Sequence, residues 1–122
     1  MEILSAHRIA TLCAEQILEH KGQDLVVLDV SRLSSFTDYF VICSARSSRQ
    51  VQGIADNVET GLRQLGVRPI GIEGSREGQW ILMDYGDVIV HIFYEPVRLF
   101  YDLESLWSEA VKVHLTLEHA VS

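Results

Sequence analysis

The chain has 122 residues, 48% of them hydrophobic and 22% charged, which fits one globular domain and excludes a wholly disordered chain. Its formal charge of −7, with 10 basic residues scattered rather than clustered, argues against a direct nucleic-acid partner and favours a basic protein. No apolar run approaches the ~20 residues of a membrane span, and no leader or transit pattern opens the chain, so no membrane partner and a cytoplasmic setting are expected.

Residues 4–20 carry a helical period, with Ile9, Leu12, Cys13 and Ile17 on one stripe and Ser5 placed to cap it. Asp24 to Val30 is almost continuously aliphatic and reads as a strand covered on both faces. A Ser-rich connection over 31–37 leads to a second buried strand, Tyr39 to Ser44. Ser47 or Ser48 then caps a helix whose stripe is Val51, Ile54, Ala55, Val58, Leu62 and Leu65, closed by Gly66. A short strand is expected around Arg68 to Glu73, followed by a Gly-Ser-Arg-Glu-Gly loop. Gln79 to Tyr85 and Asp87 to Tyr94 form a hairpin about Gly86. Pro96 suits the first turn of a final helix. The order α-β-β-α-β-β-β-α predicts an α/β (α+β) domain, a mixed sheet of about five strands with helices packed on it.

Groups able to carry chemistry are sparse. The Asp-x-Glu pair at Asp102 and Glu104 falls on a helix, where such neighbours point apart, and no Gly-Ser loop precedes it; solvated helix charges are expected rather than a metal site. Asp84 and Asp87 flank the hairpin and suit turn hydrogen bonds. His91 sits mid-strand between Val90 and Ile92, where a hydrogen-bonded core histidine is the ordinary outcome. Ser34, Ser35 and Thr37 fit a turn before Asp38, with no nucleophile elbow around them. Cys13 and Cys43 lie in apolar runs without neighbouring cations and read as reduced core thiols. Gly71, Gly74 and Gly78 lack the spacing of a dinucleotide loop.

Apolar surface is what remains. Trp80 and Leu82 alternate with Ile81, Met83 and Tyr85, so the strand is apolar on both faces. The last helix carries two stripes, Val97/Phe100/Tyr101 and Leu99/Leu103/Leu106, more than one packing contact requires. Part of this surplus is either core or a protein-binding face that shares a homodimer.

Several segments, in their order and spacing, resemble the ribosomal silencing factor family, also called Iojap-related proteins. They are DLVVLDV (Asp24–Val30), FTDYFVICSA (Phe36–Ala45), SSRQV with IAD (Ser47–Asp56), GIEG (Gly71–Gly74), WILMDYGDVIVHIF (Trp80–Phe93) and YDLESLW (Tyr101–Trp107), spanning roughly Gln23 to Trp107. The resemblance implies a sheet like that of nucleotidyltransferases without the catalytic loop, and hence no enzymatic activity, no cofactor and no metal. It implies binding to the large-subunit ribosomal protein numbered fourteen, at the face that meets the small subunit. Subunit joining would be blocked there under nutrient limitation, and the free protein would be a homodimer. Assembly of the large subunit is an alternative role, and a divergent metal-dependent nucleotidyltransferase is another.

On this resemblance residues 1–107 form the family domain. Residues 108–122 are a C-terminal extension that continues the last helix or is disordered. Trp80 matches the tryptophan that opens the family's hairpin. The expected docking set is Trp80 with Ile81 and Met83 beside it and Glu73 as an acidic rim, plain core being the rival role for Trp80.

Overall fold

The computed structural model describes residues 4–115. Helix α1 (Ala6–Glu19) starts where the Ser5 hydroxyl accepts from the Arg8 N–H, and buries Ala10, Cys13, Ala14 and Ile17. Its end is a left-handed cap in which Lys21 has φ of 67° and the Gly22 N–H returns to the Ile17 carbonyl. Helix α2 (Ser48–Arg63) is capped by Ser47, whose hydroxyl accepts from the Gln50 N–H. The Gln50 side chain in turn accepts from the Arg46 N–H. Gly66, at φ of 81°, closes α2 as its position after the apolar stripe predicts.

The strands are β1 (Gln23–Asp29), β2 (Tyr39–Ala45), β3 (Gly71–Glu73), β4 (Trp80–Asp84), β5 (Val88–Tyr94) and β6 (Val111–Lys112). They form one sheet in the order β3-β4-β5-β2-β1-β6. Only β2 and β5 run parallel; the crossover between them contains α2, β3 and β4. The β4–β5 turn is held by the Gly86 N–H donating to the Asp84 carboxylate, the turn role expected of Asp84.

Strict alternation along the central strands separates two cores. Val41, Cys43 and Ala45 of β2, Ile81 and Met83 of β4, and Val88, Val90 and Ile92 of β5 face α1 and α2. Phe40 and Ile42, with Ile89 and Phe93, face the other way, toward Trp80, Leu82, Val97, Leu103 and Trp107. That second face is covered by short elements: α3 (Glu95–Tyr101), α4 (Leu103–Leu106) and the segment that follows them.

The fold departs from the sequence expectation in three places. It has six strands rather than about five, because Val111 and Lys112 pair with Asp29 and Leu28 of β1. The segment after Trp107 therefore leaves the helix and joins the sheet edge, neither continuing the helix nor, over 111–112, lying disordered; residues 116–122 fall outside the described residues. The strand expected from Arg68 begins only at Gly71, since Pro69 has no N–H to contribute to a ladder. The final helix is two helices, broken at Asp102, whose φ of 46° is left-handed. No helix among the described residues is long and apolar enough to cross a membrane.

Candidate protein-docking surface

The sheet face away from α1 and α2 is built around His91. Its neighbours in register are Leu82 on β4 and Ile42 on β2, which place the imidazole at the centre of the face, 4% exposed. Trp80 closes over it. The indole Nε1–H donates to His91 Nδ1 at 3.1 Å, and the ring stacks on Phe93 with centroids 4.8 Å apart. Phe40 meets His91 edge-on at 4.9 Å and meets Trp107 edge-on at the same distance. Tyr101 reaches across from α3 to Trp80, 5.2 Å between centroids.

The accepting Nδ1 fixes the neutral histidine with its proton on Nε2, an atom that has no hydrogen-bond partner. Burial pushes the His91 pKa down to about 4, so the ring stays uncharged near neutral pH. Its expected core role therefore holds on one nitrogen. Trp80 itself is only partly buried, although His91, Phe93 and Tyr101 all pack against its ring.

The expected docking residues divide between the two faces. Glu73 is exposed and pairs across the strands with Leu82, so it shares a face with Leu82 and Trp80. Ile81 and Met83, at 1% and 0% exposure, point the other way into the core under the helices and cannot flank Trp80. The period of two along β4 requires this, because residues one apart face opposite sides. The side chains that do surround Trp80 are His91, Phe93 and Tyr101, brought in from β5 and α3. Those contacts arise from strand register, which no local pattern reports.

At one end of this face Arg98 is buried and fully engaged. Its Nε and Nη2 donate to the two carboxylate oxygens of Glu104 at 2.9 and 3.1 Å, and Nη1 donates to the Asp24 carbonyl and the Ser44 hydroxyl, each at 2.8 Å. Asp24 has φ of 50°, and the β1–β2 register slips between Gln23 and Val26, which turns that carbonyl toward the guanidinium. Glu104 is thus an anchor for α3 and α4 rather than the solvated charge expected of it. Asp102 accepts from the Ser105 hydroxyl, so the two acids serve different structures.

Among the described residues no group of three or more His, Cys, Asp or Glu is placed to hold a metal ion. Cys13 and Cys43 are free and buried; burial raises both thiols, Cys43 to about 12, and they remain protonated. The Ser34 hydroxyl accepts from the N–H groups of Phe36 and Thr37, the turn role expected for this segment.

Comparison with known proteins identifies relatives of this chain across its whole described length. The family described as "Ribosomal silencing factor during starvation" matches residues 4–122. The chain is 38% identical to the ribosomal silencing factor RsfS of Chromobacterium violaceum over 104 residues, covering 85% of each. It is 44% identical to that of Haemophilus influenzae over 88 residues, covering 72% of this chain and 86% of the relative. The chloroplastic protein Iojap of Zea mays is 33% identical over 112 residues, which is 89% of this chain and 47% of the relative. Among solved structures, a crystal structure of a C. violaceum protein superposes with a TM-score of 0.84 at 35% identity, covering 97% of this chain and 98% of that one. A Bacillus halodurans crystal structure gives 0.80 at 32% identity, covering 89% and 99%.

Proposed function

Because the chain belongs to the ribosomal silencing factor family, we propose that it represses translation without catalysis, by docking on the large ribosomal subunit and keeping the small subunit from joining. The receptor is a basic ribosomal protein on the joining face, the one numbered fourteen, and the setting is the cytoplasm. The sheet is used as in nucleotidyltransferases, but as a platform and not as a holder of nucleotide.

The observation that carries this reading is Trp80. It is partly exposed, rigidly seated by its stack on Phe93 and its hydrogen bond to His91, and flanked on the same face by exposed Glu73. A fixed aromatic ring with little conformational freedom left to lose is a strong interface anchor, and a neighbouring carboxylate selects a basic partner. Ile81 and Met83 support the site from the far side of the strand by holding β4 in the core.

The test is co-sedimentation of the purified protein with large subunits. Wild type is expected to pellet with them at micromolar concentration. Trp80→Glu is expected to lose binding, and Glu73→Lys, on an exposed side chain, to weaken it with an unchanged melting temperature. Failure of wild type to pellet would contradict the proposal. So would wild-type binding by Glu73→Lys together with a folded Trp80→Glu.

A further inference from the structure

Helices α3 and α4 show more apolar surface than the sheet beneath them uses. Val97 packs inward, Arg98 is buried, and Tyr101 leans on Trp80. On the outward side Leu99 is 77% exposed, Phe100 81% and Leu106 78%. Phe100 meets Tyr101 edge-on at 5.1 Å, so this strip is continuous with the Trp80 face.

Leu99 also borders a notch of about 410 Å³ whose charged lining is Asp24, Glu95, Asp102 and Glu104 around Arg98. Four acidic residues line the notch against one arginine, and that guanidinium is buried and committed to Glu104, Ser44 and the Asp24 carbonyl. Among the described residues, the carboxylates of Asp24 and Glu95 are in no hydrogen bond or ion pair. The strip therefore ends in uncompensated negative charge.

We infer that the outward side of α3 and α4 is a docking strip for a basic, amphipathic protein segment. The partner's apolar side chains seat on Leu99, Phe100 and Leu106, and an arginine or lysine enters the notch beside Asp24 and Glu95. The inference rests on the ribosomal-protein reading above and extends the contact from Trp80 along α3.

Charge decides the occupant. An anionic lipid surface or an RNA backbone would meet these carboxylates with like charge. A second copy docking through the same strip would, by two-fold symmetry, bring the acidic notch toward its own image. A basic segment matches both the apolar and the charged halves.

The experiment measures affinity for purified large subunits at low and moderate salt, alongside thermal melts and sedimentation velocity of the free protein. The variants are Leu99→Ser/Phe100→Ser, Glu95→Lys, and the control Leu65→Ser, an exposed leucine just past the C-terminus of α2. The double variant is expected to weaken binding by about tenfold or more, the loss typical of an interface anchor. Glu95→Lys is expected to weaken binding about fivefold and to flatten its salt dependence. Leu65→Ser should bind as wild type, and all melts should stay near wild type.

Three outcomes overturn the inference. If the strip variants bind as wild type while Glu73→Lys binds poorly, the strip is not part of the interface and the proposed function stands. If the strip variants only convert a dimer to a monomer, the occupant is a second copy. If wild type does not bind large subunits, the proposed function and this inference fail together.

Discussion

Replacing Arg98 with methionine keeps a long side chain of similar reach and removes the guanidinium that ties α3 and α4 to the β1–β2 edge. Four hydrogen bonds disappear: two to Glu104, one to the Asp24 carbonyl and one to the Ser44 hydroxyl. Four charged hydrogen bonds at ~1.5–3 kcal/mol each would sum to about 6–12 kcal/mol, but the groups left behind differ in their access to water. The Glu104 side chain, 34% exposed, and the exposed Asp24 can be rehydrated, whereas Ser44 at 1% exposure cannot. The methionine also avoids the desolvation that burying a guanidinium entails. The net loss is therefore expected near 3 kcal/mol, measured by urea unfolding followed through tryptophan fluorescence. A double-mutant cycle with Glu104→Gln should return a coupling of about 1–2 kcal/mol. Because Trp107 and β6 follow the anchored helices, amide exchange at Ala110 and Val113, whose N–H groups donate to Trp107 and Val27, should quicken in the variant. A loss below about 1 kcal/mol with unchanged exchange would refute the anchoring role.

The folded-state pKa of His91, about 4, lies below its ordinary 6.5, so between those values the unfolded chain takes up a proton that the folded chain refuses. This contribution to stability is intact above about pH 6.5 and declines as pH falls, by roughly 2 kcal/mol at about pH 5; His91→Phe should remove most of that slope in urea midpoints. Gly53→Ala, in the middle of α2 with nothing within 4 Å of the added methyl, should stabilise by about 1 kcal/mol in thermal unfolding. Gly74→Ala should destabilise by about 2 kcal/mol or more in the same assay. Gly74 has φ of 85°, and a Cβ there would lie 2.1 Å from the Trp80 carbonyl oxygen.

Elements with a local cause were legible in the chain. Ser5 and Ser47 caps, the stripe of α2 and its Gly66 stop, and the alternation through Gly86 each leave a periodic or conformational mark within a few residues. What escaped depends on partners far away in sequence. Two residues, Val111 and Lys112, are too few to show a period, and they become a strand only because the edge of β1 is open to them. Asp102 reads as a helical residue, yet a short polar side chain tolerates the left-handed region and the chain turns there. At the site, alternation on β4 already places Trp80 and Leu82 opposite Ile81 and Met83, so the expected set mixed two faces that the fold keeps apart. The contacts of His91 and Arg98 were beyond pattern altogether. Trp80 to His91 spans 11 residues and Arg98 to Asp24 spans 74, and only the sheet register and the β1 irregularity bring them together.

Subunit joining is the step that this protein is proposed to block. Purified small and large subunits are mixed at a magnesium concentration that favours association, with and without saturating protein, and resolved on a sucrose gradient. Wild-type protein is expected to move with the large subunit and deplete the joined ribosome peak, and a folded Trp80→Glu to leave that peak intact. Full joining in the presence of saturating wild-type protein would contradict the proposal.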